Sequence, residues 1–418
     1  MPVSPHDRAI ISDLVSRVRD LSSQPFNAVR RHRWLKSNSL RREDRSVRPP
    51  VLTGIHGFKG DYEGGYLPMP RLQCDDPALH ELELSLRFTL FRHKLIPDDV
   101  PITAPEWKVP KVTTGWEDFT VKWHVTERGA KAGSYRYDPV VKEPADLKKF
   151  KYQDLVYDEA ATMRNLQQAQ ELFGDLVPVS LGGWRDPSIH IVGQWCLFRG
   201  LEQVMMDMVD NPGFLHEAHA FIAEGYRRWI LQAERMGLLQ LNNWLTLSND
   251  VLPAPGFDPA RVRPRDIFVW CEAQEYTAVS PAMHKEFALR YEKPLIEMFG
   301  LCTYGCCEDL TCKLDDLFEI RNLRQIGVTP WADVEKCAAK IGSRYSISWR
   351  PNPAHLAGDF NETFIREYIR HALEALKGCA FHIFLKDIHS CGGKPERFTR
   401  WTQIVNEEIG RIWGEEEA

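Results

Sequence analysis

Gly300-Leu301-Cys302-Thr303-Tyr304-Gly305-Cys306-Cys307-Glu308-Asp309 reads as an apolar strand that breaks at a glycine and opens into two thiols and two acids. The same pattern recurs around it. Ile267 to Cys271 runs into Glu272-Ala273-Gln274-Glu275-Tyr276, and Leu323 to Val328 into Thr329-Pro330-Trp331-Ala332-Asp333. Tyr345 to Ser348 leads into Trp349-Arg350-Pro351-Asn352-Pro353, and Phe381 to Leu385 into Lys386-Asp387-Ile388-His389-Ser390-Cys391-Gly392-Gly393. Leu176 to Leu181 and Leu238 to Leu245 are further strand candidates, and helices of about ten to twenty residues separate most of these runs. Repeated βα units predict a parallel sheet, closed or doubly wound. No glycine-rich dinucleotide fingerprint follows any strand, which argues against a Rossmann arrangement.

Upstream, apolar spacing predicts a helix from Pro5 to Leu21 with Ser4 as N-cap, and another from Phe26 to Ser37. The run Arg30, Arg31, Arg33, Arg41, Arg42, Arg45, Arg48 either faces an acidic ligand or is a solvated surface. A short strand, Val51 to Ile55, enters the loop His56-Gly57-Phe58-Lys59-Gly60, which lacks GxxxxGK[ST] and so gives no phosphate cradle. A helix from Pro77 to Leu95 precedes a stretch of strands and loops reaching Pro144. Glu143 to Phe173 and Leu197 to Gly237 read as helical, the latter broken at Asn211-Pro212-Gly213.

The 418 residues are 43% hydrophobic and 27% charged, an ordinary globular composition. With 53 basic and 58 acidic residues the formal charge is -5, which argues against a broad nucleic-acid-binding surface. MPVSPHDRAIISDL lacks a basic segment followed by an apolar run, and no stretch approaches the roughly 18 apolar residues of a span. The expectation is a cytoplasmic protein that binds neither membrane nor nucleic acid. Ten cysteines in a reducing compartment are core residues, metal ligands or reactive thiols. Cys302, Cys306, Cys307 and Cys312 cluster, whereas Cys74, Cys196, Cys337 and Cys379 are scattered and suit a core.

Soft thiolates completed by a carboxylate or imidazole suit zinc. Cys306 or Cys307, Cys391, and one of Glu272, Glu275 or His389 all follow strands and are candidate ligands. The alternatives are packing cysteines or a redox-sensitive thiol pair. Glu308 and Asp333 are strand-end acids that suit either chemistry or the start of a helix. Trp331 and Trp349 suit a pocket wall or a core, and Arg350 requires a carboxylate or ligand partner. Lys386 and Asp387 suit pairing with each other.

At these residues the chain resembles the uroporphyrinogen-decarboxylase-like superfamily, particularly its corrinoid-linked methyltransferase branch. Ser280-Pro281-Ala282-Met283-His284 through Tyr304 resembles the helix that leads to the metal-bearing strand of that family. Cys306 falls at the cysteine of a His-x-Cys-Gly motif, Cys391-Gly392-Gly393-Lys394-Pro395 resembles a late cysteine segment, and Arg344 to Pro353 a strand ending in "NP". Tyr304 stands where the motif has histidine, and nothing near Gly57 to Gly65 matches the arginine- and glycine-rich motif of true decarboxylases.

The resemblance implies a (β/α)8 TIM-type barrel over residues 101–418, with a helical extension over 1–100 packing on it. It implies methyl transfer from a small methylated donor, a methoxylated aromatic suiting the tryptophans, to the corrinoid (cobalamin) of a separate protein. Zinc would be held by Cys306 or Cys307, Cys391, and Glu272 or Glu275. Tyr304, Asp333 and Glu308 would serve the reaction, Trp331, Trp349 and Arg350 the substrate, in a monomer or homodimer. The competing expectations are a metal-free decarboxylase that binds a carboxylated substrate through Arg350 and the N-terminal arginines, and a retired barrel that only binds.

Overall fold

The computed structural model describes residues 3–55, 71–115, 119–125, 137–388 and 390–414. The loop His56 to Gly60, the segment Gly57 to Gly65, His389 and the acidic tail Glu415 to Glu417 lie outside the described residues. The architecture is mixed α/β, in two compact units: residues 1–111, 158–182 and 349–418 make the first, 112–157 and 183–348 the second. In chain order the strands include β1 (Val51–Thr53), β2 (Trp107–Pro110), β3 (Val179–Gly182), β4 (Ser188–Ile189) and β5 (Phe268–Cys271). They continue with β6 (Leu301–Tyr304), β7 (Leu323–Val328), β8 (Ser346–Trp349) and β9 (Ala380–Leu385).

In the first unit, helix Pro5–Ser22 starts where Ser4 Oγ accepts the Asp7 amide at 3.1 Å. The Asp7 carboxylate in turn accepts the Asp75 and Asp76 amides, which holds its pKa down and ties the helix start to that turn. Ile11, Leu14, Val15 and Val18 recur at helical spacing, and this stripe is buried against Leu79, Leu82, Leu86, Phe173 and Val177. β1 pairs in parallel with β9, and β2 with β3. The N-terminal arginines are largely committed within this unit. Arg33 and Arg48 both pair with the buried Asp99, which also accepts the Val51 amide at 2.9 Å. Arg30 donates to the Val100 carbonyl and Arg45 to that of Ser39.

In the second unit the strands stand in the order β4-β5-β6-β7-β8. Parallel pairing sets Ser188 and Ile189 against Trp270 and Cys271, and Tyr304 against Cys271. Three successive strands therefore end level with one another. Helices Ile191–Arg199, Leu201–Asp210 and Pro212–Arg235 replace the helical run expected from 197 to 237. The break at Asn211 was anticipated; a second falls at Gly200, whose φ of +81° suits only glycine. Buried Arg199 holds Asp207 by two hydrogen bonds, 2.7 and 2.9 Å, and donates to the carbonyls of Val141 and Lys142.

Two local expectations are corrected. The helix expected over 143–173 begins only at Glu159, where the Asp158 carboxylate caps it by accepting the Ala161 amide. Before it lie a 3-10 turn, Pro144–Lys149, and a strand, Val156–Tyr157. The strand expected at Leu238 to Leu245 is reduced to one bridge, Trp184 to Leu239. Its place beside β5 is taken by a side chain: the Asn242 amide group accepts from Phe268 N–H at 3.0 Å and donates to Phe268 O at 2.9 Å.

Candidate functional site

Because β4, β5 and β6 are in register, the residues that follow them are neighbours: His190 after β4, Glu272 after β5 and Gly305 after β6. His190 Nδ1 lies 2.9 Å from Glu272 Oε1, an ion-pair distance without a completed hydrogen bond. Glu272 is 6% exposed, and its Oε2 has no hydrogen-bond partner among the described residues. Glu275, in the following 3-10 turn, lies against Gly193 of helix Ile191–Arg199, where a Cβ would come within 3.0 Å of its Oε1. Its Oε2 is also buried without a hydrogen bond, and burial together with the charges of Glu272 and Glu308 pushes its pKa up.

The turn after β6 is shaped by Gly305. Its φ is +103°, its amide donates to Cys271 O at 2.9 Å, and its carbonyl accepts Trp270 Nε1 at 3.1 Å. Cys306 is buried and Cys307 exposed, with their sulfurs 3.5 Å apart. Glu308 spans the two strand ends: Oε2 accepts the Cys306 amide at 2.7 Å and Oε1 the Ala273 amide at 3.2 Å. This carboxylate clamps the two turns together.

Tyr304 is fully buried and turned toward helix Arg290–Ile296, where its hydroxyl donates to Glu292 Oε2 at 2.7 Å. His284 Nε2 meets the same hydroxyl at 3.0 Å. Burial pushes Glu292 up to about 8 and His284 down to about 3, so a neutral chain of hydrogen bonds runs behind β6. That packing takes Tyr304 away from a substrate-facing role.

A cleft of about 630 Å³ opens over the His190 end of this cluster, lined by Trp184, Arg185, His190, Gln194, Tyr226 and Trp229 among others. Trp184 and Trp229 stack at 5.2 Å, and the His190 ring meets Trp270 edge-on at 5.5 Å. The structure thus brings Glu272, Glu275, Cys306, Cys307 and Glu308 into one neighbourhood of the second unit. His190 and the cleft tryptophans were not singled out in the sequence. A two-residue strand leaves no periodic signal, and the only clue to His190 is that it follows Pro187-Ser188-Ile189 and precedes a helix.

The remaining candidates are elsewhere. Asp333 caps helix Val334–Ile341 by accepting the Lys336 amide at 3.0 Å and pairs with Lys336 Nζ, the helix-start role its position suited. Trp331 is 67% exposed and is not among the residues that line this cleft. In the first unit, Trp349 is 2% exposed and packs against Tyr368, a core position; Arg350 and Cys391 are buried there as well. Lys386 and Asp387 pair at 2.6 Å, as their adjacency suggested.

Among the described residues, the group of three acid, thiol or imidazole donors already within 4.8 Å of one another is His6, Asp7 and Asp75, in the first unit. The strand-end donors offer the right atoms for zinc, soft sulfur and hard oxygen, without being closed on a common centre. No helix among the described residues is long and apolar enough to cross a membrane.

No family model and no curated protein sequence matches the chain. Among solved structures, a methyltransferase from Methanosarcina mazei is similar at 13% identity, over 88% of this chain and 94% of that one, with a TM-score of 0.47. A likeness that remote carries no argument for activity.

Proposed function

We propose that this chain is a zinc-dependent methyltransferase on a (β/α)8-type barrel, moving a methyl group from a small methylated substrate to a corrinoid carried by a separate protein. The observation that carries the reading is the pair of buried carboxylate oxygens without hydrogen bonds, Glu272 Oε2 and Glu275 Oε2, near the Cys306-Cys307 turn. Buried carboxylate oxygens left without hydrogen bonds are costly, and a divalent cation offsets that cost. A thiolate among the donors selects zinc over magnesium or calcium. Glu272, Glu275 and one of Cys306 and Cys307 would hold the ion. Bound there, zinc supplies Lewis acidity to the heteroatom that carries the methyl group.

The chain's own residues do the rest. Trp184, Trp229 and Tyr226 wall the cleft and would offer an apolar donor its aromatic surface. Glu308 fixes the turn that presents the thiols. The metal-free decarboxylase reading is weakened because Arg33 and Arg48 are already committed to Asp99.

Two measurements test the proposal. Elemental analysis of protein purified without an added metal-binding tag should find about one zinc per chain, lost when both Cys306 and Cys307 are changed to Ser. Anaerobic incubation with a Co(I) corrinoid protein and a panel of methyl donors should give the methyl-Co(III) spectrum. Zinc below about 0.2 equivalents, unchanged in the double variant, would sink the metal assignment.

A further inference from the structure

We infer that His190 is the imidazole ligand of this site, binding the metal together with Glu272 and a thiol of the Cys306-Cys307 turn; the inference rests on the zinc reading above. A His-x-Cys arrangement would put histidine at position 304, but Tyr304 is spent on Glu292 and His284 behind the strand. Another strand end offers an imidazole.

Strand register supplies it. His190, Glu272 and Gly305 follow β4, β5 and β6 at matched positions, and adjacent strands run about 4.8 Å apart, so His190, Glu272 and the thiol turn that opens at Gly305 stand side by side at the strand ends. Two donor atoms of one tetrahedral zinc, each about 2.0–2.1 Å from the ion, are about 3.3 Å apart. His190 Nδ1 and Glu272 Oε1 are 2.9 Å apart, close to that spacing. They form no hydrogen bond with each other, and Glu272 Oε2 beside them has none either. A buried imidazole nitrogen and a buried carboxylate held at ligand spacing without a hydrogen bond between them are what a shared cation explains.

The buried imidazoles nearby each hold one polar contact and line no part of the cleft. His284 Nε2 lies on the Tyr304 hydroxyl, and His219 Nδ1 on the Phe287 carbonyl at 2.6 Å. His190 instead lines the cleft, so a metal it holds is open to a substrate seated between the aromatic walls. With His190 in place of Glu275, three protein ligands leave the fourth place of a tetrahedral zinc for substrate or water.

The test uses Co(II) as an optical probe on the full chain. Wild-type protein is expected to bind one equivalent, with tetrahedral d–d bands and a sulfur-to-cobalt charge-transfer band. His190→Ala should keep the charge-transfer band, change the d–d bands and weaken Co(II) binding by at least about tenfold. His190→Cys, which supplies a zinc donor from the same backbone position, should recover most of the affinity and strengthen the charge-transfer band. That recovery separates a ligand from a residue that merely orients Glu272, and it also separates ligand loss from misfolding. Unchanged affinity and d–d bands in His190→Ala would overturn the inference and leave the zinc reading standing. Failure of the wild-type chain to bind Co(II) or zinc at all would overturn both.

Discussion

Tyr304 Oη donates a 2.7 Å hydrogen bond to Glu292 Oε2, and both residues are fully buried. Burial, with the charges of Glu308 and Glu272, pushes the Glu292 carboxyl up from an ordinary 4.5 to about 8. The native state therefore keeps a proton that the unfolded chain releases above 4.5. Stability contributed by this group is present below that value and lost as pH rises toward 8, by at most about 1.4 kcal/mol per pH unit. Glu292→Gln, which cannot ionise, should flatten the curve. Urea midpoints of the two proteins between pH 5 and 8.5 check this, and parallel curves would refute it.

Arg199 and Asp207 form a buried two-point pair that also fixes the carbonyls of Val141 and Lys142. Asp207→Ala leaves a guanidinium buried against an apolar wall that includes Phe214. The expected loss is about 3–5 kcal/mol. Asp207→Asn retains an acceptor and should lose less. Equilibrium urea unfolding of both variants gives the ordering.

The parallel α/β character was legible because it rests on long apolar runs. β5, β6, β7 and β9 were anticipated to within a few residues, the helix at Pro5 starts where Ser4 predicts, and the second helix starts at Phe26 as its apolar spacing suggests. What could not be read depended on contacts distant in sequence. Asn242 replaces a strand ladder with its side chain, and the short β4 that delivers His190 has no pattern of its own. Glu272, Glu275, Cys306 and Cys307 were visible as strand-end donors. Whether Tyr304 faced substrate or helix could not be seen, because strand alternation tells which residues share a face but not which face is covered.

Asp333 and Trp331 show the same limit from the other side. Both follow β7, yet one caps a helix and the other is mostly exposed. Asp333→Ala should cost about 1 kcal/mol of stability through the lost cap. Trp331→Ala should stay within about 0.5 kcal/mol. Neither should alter metal content or ligand binding, and thermal melts paired with metal analysis measure both. A tenfold loss of metal in the Asp333 variant would restore it to the site.

Gly305 carries the most demanding backbone of the proposed site. A φ of +103° is strained for any residue with a Cβ, and a Cβ there would come within 2.7 Å of Leu310 Cδ1. Gly305→Ala must therefore shift the turn or displace Leu310, at a cost of about 1–3 kcal/mol. The turn sets where the Cys306 and Cys307 sulfurs point, so the variant should lose metal affinity out of proportion to its loss of stability. Leu310→Ala makes room for the added methyl while leaving φ unfavourable. If Gly305→Ala with Leu310→Ala binds Co(II) as tightly as Leu310→Ala alone, the clash governs; if binding stays weak, the backbone angle does. Wild-type affinity in Gly305→Ala itself would mean the thiol turn does not set the site.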